Sequence, residues 1–143
     1  LSKEKEKAVV EKVMYEVAYN EALIEALQKQ IEQLNSSITE ISLSIETLNE
    51  LKKGDKGVEV LVPIGRHVLV KMNLEKADKV LLSLGASVLV EKPVDAALEE
   101  LEEERKKQMQ LLAQQQENLR KLVERNEALR AYLNSVLQEK EGA

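Results

Sequence analysis

Apolar side chains recur at alternating steps of three and four residues from Val10 to Leu48. They fall at Val10, Val17, Ile24, Ile31, Ile38 and Ile45, and at Val13, Leu27, Leu34, Ile41 and Leu48, with Asn20 at the one polar place in the series. Five heptads of this kind predict a helix with a single coiled-coil seam. The positions between carry mostly Glu, Lys, Gln and Ser, which is a solvated face. Lys52 and Lys53 suit the negative end of the helix dipole, and Gly54 can take the left-handed closing conformation. At about 1.5 Å per residue, such an arm is about 75 Å long.

The period then changes. Gly54-Asp-Lys-Gly57 is a turn cluster. Val58, Val60, Val62 and Ile64, then Val68, Val70, Met72 and Leu74, alternate with other residues, and period two predicts strands with one apolar face. Strands are expected at 58–64, 68–74, 79–84 and 87–92. Gly65-Arg-His67 is a short hairpin loop, and Gly85-Ala86 fits a two-residue type II′ turn. Pro63 predicts a bulge or an edge at its strand. Two hairpins alone leave open edges and an uncovered apolar face, so partner subunits are expected to complete them. Val60, Val62, Ile64, Val68, Val70, Leu82, Leu84, Val88 and Val90 are the expected oligomerisation residues.

Helical spacing returns after Pro93, with Asp95 and the glutamates at 99, 100, 102 and 103 near the positive end of the dipole. The second seam runs through Leu98, Leu101, Arg105, Gln108, Leu112, Gln115, Leu119, Leu122, Asn126, Leu129, Leu133 and Val136. An antiparallel alignment sets every seam position of one arm against a seam position of the other. Val10 faces Val136, Val17 faces Leu129, Asn20 faces Asn126 and Leu48 faces Leu98. A slip by one heptad leaves each amide against an aliphatic side chain at a cost of about 1–3 kcal/mol. Asn20 and Asn126 are therefore expected to set the register.

The expected fold class is α+β: a long antiparallel two-helix coiled coil with two β-hairpins at the bend, which build an intersubunit β-barrel or sheet. Residues 1–53 and 93–143 form the helices and 54–92 the oligomerisation segment.

Off the seam, apolar residues are scarce in Gln28–Ser37 and collect toward the two ends of the sequence. Leu23 and Val123 belong to this cluster, and Val9, Met14, Tyr15, Tyr19, Tyr132 and Leu137 within it are the expected contacts for exposed apolar segments of other proteins. The alternative is that they cover the end of the coil or pack on a neighbouring arm.

Composition narrows the classes. The chain has 143 residues, 33% charged and 2% aromatic, with no Cys, Phe or Trp. That is the make-up of long helices rather than of an ordinary globular core. The net charge of −5 argues against a nucleic-acid surface. No apolar run approaches a membrane span, and the charged start is unlike a signal peptide, so a cytoplasmic protein is expected. His67 is the only histidine and lacks partners for metal or triad chemistry. Successive carboxylates of Glu99–Glu104 point in different directions, as on a solvated face. Gly65 and Gly85 belong to turns without a phosphate-loop pattern. No enzyme activity and no cofactor are expected.

A long helix, then Glu-Val-Leu-Val-Pro-Ile-Gly (59–65), Val-Leu-Val-Lys (68–71), Asp-Lys-Val-Leu (78–81), Leu-Gly-Ala (84–86), Val-Glu-Lys (90–92) and a second long helix resembles an α-class prefoldin subunit. The resemblance covers nearly the whole chain. It implies subunits joined by their hairpins into β-barrels, usually two α-class with four β-class chains. It also implies coiled-coil tips that hold non-native protein without ATP and pass it to a group II chaperonin. Arg66-His67-Val68 and Ala86-Ser87-Val88-Leu89 depart from the small residues, second glycine and aromatics common in the family. They fall in the hairpins that choose partners and are compatible with the filament-forming γ-prefoldin branch. The leading expectation is thus a prefoldin-type holdase; the alternative is a self-assembling, filament-forming structural coiled coil.

Overall fold

Ser2 opens the first helix: its Oγ accepts the Lys5 amide at 3.3 Å and its carbonyl accepts the Glu6 amide at 3.1 Å. The computed structural model describes residues 2–53, 57–83 and 85–142. Helix α1 spans Lys3–Lys53, strands β1 and β2 Val58–Ile64 and Val68–Leu74, strands β3 and β4 Lys79–Leu82 and Val90–Pro93, and helix α2 Val94–Glu141. The expected Gly54–Lys56 part of the turn cluster and Leu84 lie outside the described residues.

The chain forms two compact units, one of Leu1–Asn35 with Gln110–Ala143 and one of Ser36–Met109. In the first, every seam position from Val10 to Leu34 and from Leu112 to Val136 is buried or half-buried, because an amphipathic helix hides its stripe only against another. In the second, Ile45, Val94, Leu98 and Leu101 form a buried cluster, with Ile41, Leu48, Val80 and Leu82 packed on it. The β3–β4 hairpin therefore lays one face on the helices of its own chain. Lys52 pairs with Asp95, and Lys92 Nζ lies 2.5 Å from Glu100 Oε2. The Val94 amide donates to the Asp78 carbonyl at 3.3 Å, which ties the start of α2 to the lead-in of β3.

Strands β1 and β2 pair antiparallel from Val58 opposite Leu74 to Ile64 opposite Val68. This register puts Val58, Val60, Val62 and Ile64 on one face with Leu74, Met72, Val70 and Val68. Pro63 stands opposite Leu69 in an unbroken register, so no bulge forms there. In a two-stranded ribbon, a proline has an open edge available.

The second hairpin differs from expectation. Strand β3 ends at Leu82 rather than at 84, and β4 begins at Val90 rather than at 87. Leu82 pairs with Val90, which leaves residues 83–89 between the strands. The turn centres on Ala86 and Ser87, at φ 53° and 57°, with the Val88 amide 3.4 Å from the Gly85 carbonyl. Gly85, at φ 141°, is not the first central residue of a type II′ turn. Two successive left-handed residues reverse the chain one position later than the glycine suggests and take Ser87 out of the strand. Pro93 closes β4, and Val94 rather than Pro93 begins α2.

Candidate functional site

The unit of Leu1–Asn35 and Gln110–Ala143 carries a covered seam and, outside it, several exposed apolar side chains on an otherwise polar surface. Asn20 and Asn126 are 6% and 5% exposed, and Asn20 Nδ2 donates to Asn126 Oδ1 at 3.2 Å. Asn126 Nδ2 also lies 3.5 Å from the Val17 carbonyl. Arg125 Nε donates to Glu16 Oε1 at 3.1 Å, and Arg130 pairs with Glu21. These two ion pairs lie on opposite flanks of the seam, since Glu16 and Glu21 stand to either side of the stripe through Val17 and Asn20. The seam prediction did not single them out. Opposite charges at the flanking heptad positions signal them once the register is in hand.

Val9, Met14, Tyr15, Tyr19, Tyr132 and Leu137 are all exposed, from 38% at Tyr132 to 79% at Tyr15. Leu23 is also exposed, whereas Val123 is half-buried. Exposed apolar side chains are not confined to this unit: Leu43 and Met109 are open in the other.

Among the residues expected to join subunits, Ile64, Val68 and Val88 are well exposed, Val62 and Val90 less so, and Val60 and Val70 are half-buried. Leu82 packs on the core of its own chain. Met72, which the alternation places on the apolar face, is as open as the rest, and so are Leu61, Leu69, Leu81 and Leu89, which were not singled out from sequence. Leu61 and Leu69 lie on the second face of the β1–β2 ribbon, where alternation does not mark them.

Polar chemistry is sparse. Arg120 donates to Glu117 through Nε at 3.0 Å and to Glu124 Oε1 at 2.6 Å. The hydrogen bond from Arg120 holds the Glu117 carboxyl below the usual carboxylate range, and the same bond raises Arg120. The described residues contain no group of three or more His, Cys, Asp or Glu that could hold a metal ion. None of their helices is long and apolar enough to cross a membrane.

Two antiparallel helices joined by a pair of β-hairpins define a coiled-coil subunit of double-hairpin type. The prefoldin family model, described as prefoldin subunit, matches residues 20–142, and the chain belongs to that family. It is 32% identical over 101 residues to prefoldin subunit alpha of Thermofilum pendens, across 71% of this chain and 78% of that protein. It is 40% identical over 86 residues to prefoldin subunit alpha 2 of Methanocaldococcus jannaschii, across 60% of this chain and 58% of the relative. The match to the putative prefoldin subunit alpha of Aquifex aeolicus likewise spans only 56% of that relative. Among solved structures, the filamentous PFD from Methanocaldococcus jannaschii, determined by cryo-EM, matches with a TM-score of 0.65 at 33% identity. That match covers 82% of this chain and 98% of the other.

Proposed function

We propose that this chain is a subunit of an ATP-independent holdase that captures exposed apolar segments of non-native proteins. The observation that carries the reading is the set of open apolar side chains, Val9, Met14, Tyr15, Tyr19, Tyr132 and Leu137, on a helix pair whose own seam is covered. Each contact is weak, and several arms in one assembly raise the avidity. Membership of the prefoldin family supports the same reading. Delivery to a group II chaperonin and a cytoplasmic setting belong to the proposal as well. The test is light scattering of guanidinium-denatured citrate synthase diluted into buffer with the chain. Protection is expected, and the combined Tyr15→Ser, Tyr19→Ser and Tyr132→Ser variant should lose most of it while keeping its helicity. Equal protection by variant and parent would remove these residues from the role.

A second reading rests on the hairpins. The β1–β2 ribbon presents an apolar face of eight side chains, and its two strands form a sheet of their own. Open edges and an uncovered face favour addition of further subunits, either β-class chains in a closed particle or copies of this chain in a filament. Asn20 and Asn126 are proposed to set the pairing of the arms and the hairpin residues to join subunits. Size-exclusion chromatography and electron microscopy of the chain alone separate the cases: long open assemblies support self-association, and a small species that grows only with a second subunit supports the hetero-oligomer.

A further inference from the structure

We infer that the two hairpins differ in kind: β3–β4 is a fixed part of its unit, whereas β1–β2 opens by itself in the single chain and is held closed once a further subunit joins it. This rests on the reading that the hairpins join subunits, and it adds the conformational step that controls joining.

The second hairpin is anchored at several points. Val80 and Leu82 of β3 pack on the buried cluster of Ile45, Val94, Leu98 and Leu101. Lys92 Nζ lies 2.5 Å from Glu100 Oε2, and Pro93 leads into α2 with no intervening residue. The Val94 amide donates to the Asp78 carbonyl at 3.3 Å. Opening this hairpin therefore uncovers the cluster and disturbs the first turn of α2.

The first hairpin has no such anchor. Strands β1 and β2 form a sheet that, among the described residues, contains no other strand. None of the side chains packed on the buried cluster belongs to it. Val58, Val60 and Val70 are half-buried, and every other residue of the two strands is exposed. Both faces are open, through Ile64 and Val68 on one and Leu61 and Leu69 on the other. A two-stranded ribbon in water is marginally stable, because little burial offsets the ordering of its backbone. It can open locally with the helices unchanged.

Unequal hairpins make association a two-step event. The single chain offers β3–β4 already formed, while the ordering of the ribbon falls within the joining step. Only the closed fraction is competent, so apparent affinity falls in proportion to that fraction. A substitution that favours the open ribbon should weaken association without altering an apolar face. Gly57 is such a position: it sits at φ 76° at the base of the ribbon, where a Cβ would meet the Leu74 carbonyl oxygen at 2.5 Å.

Hydrogen–deuterium exchange with mass spectrometry tests this on the full chain, kept single by dilution and then associated by concentration or by a β-class prefoldin subunit. Light scattering reads the state of association. In the single chain, amides of 58–74 are expected to exchange within about tenfold of the unprotected rate, and those of 79–82 and 90–92 at least about a hundredfold more slowly. Association should slow 58–74 and leave 79–82 and 90–92 as they were. Gly57→Ala should keep the slow exchange of the second hairpin and raise the concentration needed for association at least about tenfold. A ribbon as protected as β3–β4 in the single chain overturns the inference, as does association that leaves 58–74 exchanging as before or that Gly57→Ala does not weaken. Persistence of the assembly at nanomolar concentration overturns it as well. A chain that stays single at every concentration, alone and with the β-class subunit, removes the reading that the hairpins join subunits and the ordering step with it.

Discussion

Asn20 and Asn126 meet across the helix pair, with Asn20 Nδ2 donating to Asn126 Oδ1 at 3.2 Å, and they are the two buried polar side chains among the described residues. The amides satisfy each other only in this alignment. Asn20→Leu strands the Asn126 amide beside an aliphatic group and should destabilise the helix pair by about 1–3 kcal/mol. Asn20→Leu with Asn126→Leu should recover that stability and admit slipped pairings. Urea denaturation measures the first effect and intrachain crosslinking at several seam positions the second. A double variant with one pairing only would deny the asparagines a part in register.

Gln108 has a different place in its seam. Its Nε2 donates to Glu104 Oε1 at 3.1 Å, but its Oε1 is buried without a hydrogen-bond partner within the chain. Gln108→Leu should therefore stabilise the unit by about 1 kcal/mol, by removing an unsatisfied acceptor and adding apolar contact. A lower urea midpoint for this variant would contradict the assignment.

Two hairpin positions should respond in opposite senses. Gly57 sits at φ 76°, and a Cβ there would meet the Leu74 carbonyl oxygen at 2.5 Å. Gly57→Ala should weaken the β1–β2 hairpin by more than about 2 kcal/mol through left-handed strain and the clash with backbone. Ala86, at φ 53°, is a non-glycine residue in the same left-handed region, and Ala86→Gly should stabilise its turn by about 0.5–1 kcal/mol. Thermal unfolding of both variants checks the pair of signs.

Acid should loosen α2 around Glu117. Its carboxyl is held below its ordinary range by hydrogen bonds from Arg120, so the folded state binds that proton less readily than the unfolded chain. The contribution is present above the ordinary carboxylate pKa and is lost as pH falls through the lowered one. The group is solvent-exposed, so the effect should be small and fade with added salt. Helicity of the parent and of Glu117→Gln, followed from neutral pH into acid, should converge at low pH.

The helices and the first hairpin were legible because their signals are local and periodic. The 3,4 spacing from Val10 to Leu48 reports a single stripe whatever lies against it, and the stripe is covered throughout. Val58 to Ile64 and Val68 to Leu74 alternate cleanly, and the strands end where the alternation ends. Val88-Leu89-Val90 misled for the same reason. An apolar β-rich run reads as strand, yet the turn at Ala86 and Ser87 holds Val88 and Leu89 outside the pairing.

Asn20 and Asn126, 106 residues apart, were matched by the heptad alignment alone, whereas the pairing of Glu16 with Arg125, 109 apart, needed the folded chain. Heptad positions limit which residues of two helices can meet, because each helix repeats its own faces. They do not tell which apolar residues are covered by a neighbouring element, because that depends on distant segments closing on one another. Leu82 illustrates this: as a β-strand leucine it is equally suited to a partner subunit, and folding of β3 onto Ile45, Leu98 and Leu101 turns it inward. Local steric and periodic preferences thus chose the elements, while long-range packing chose which of their apolar faces remained open.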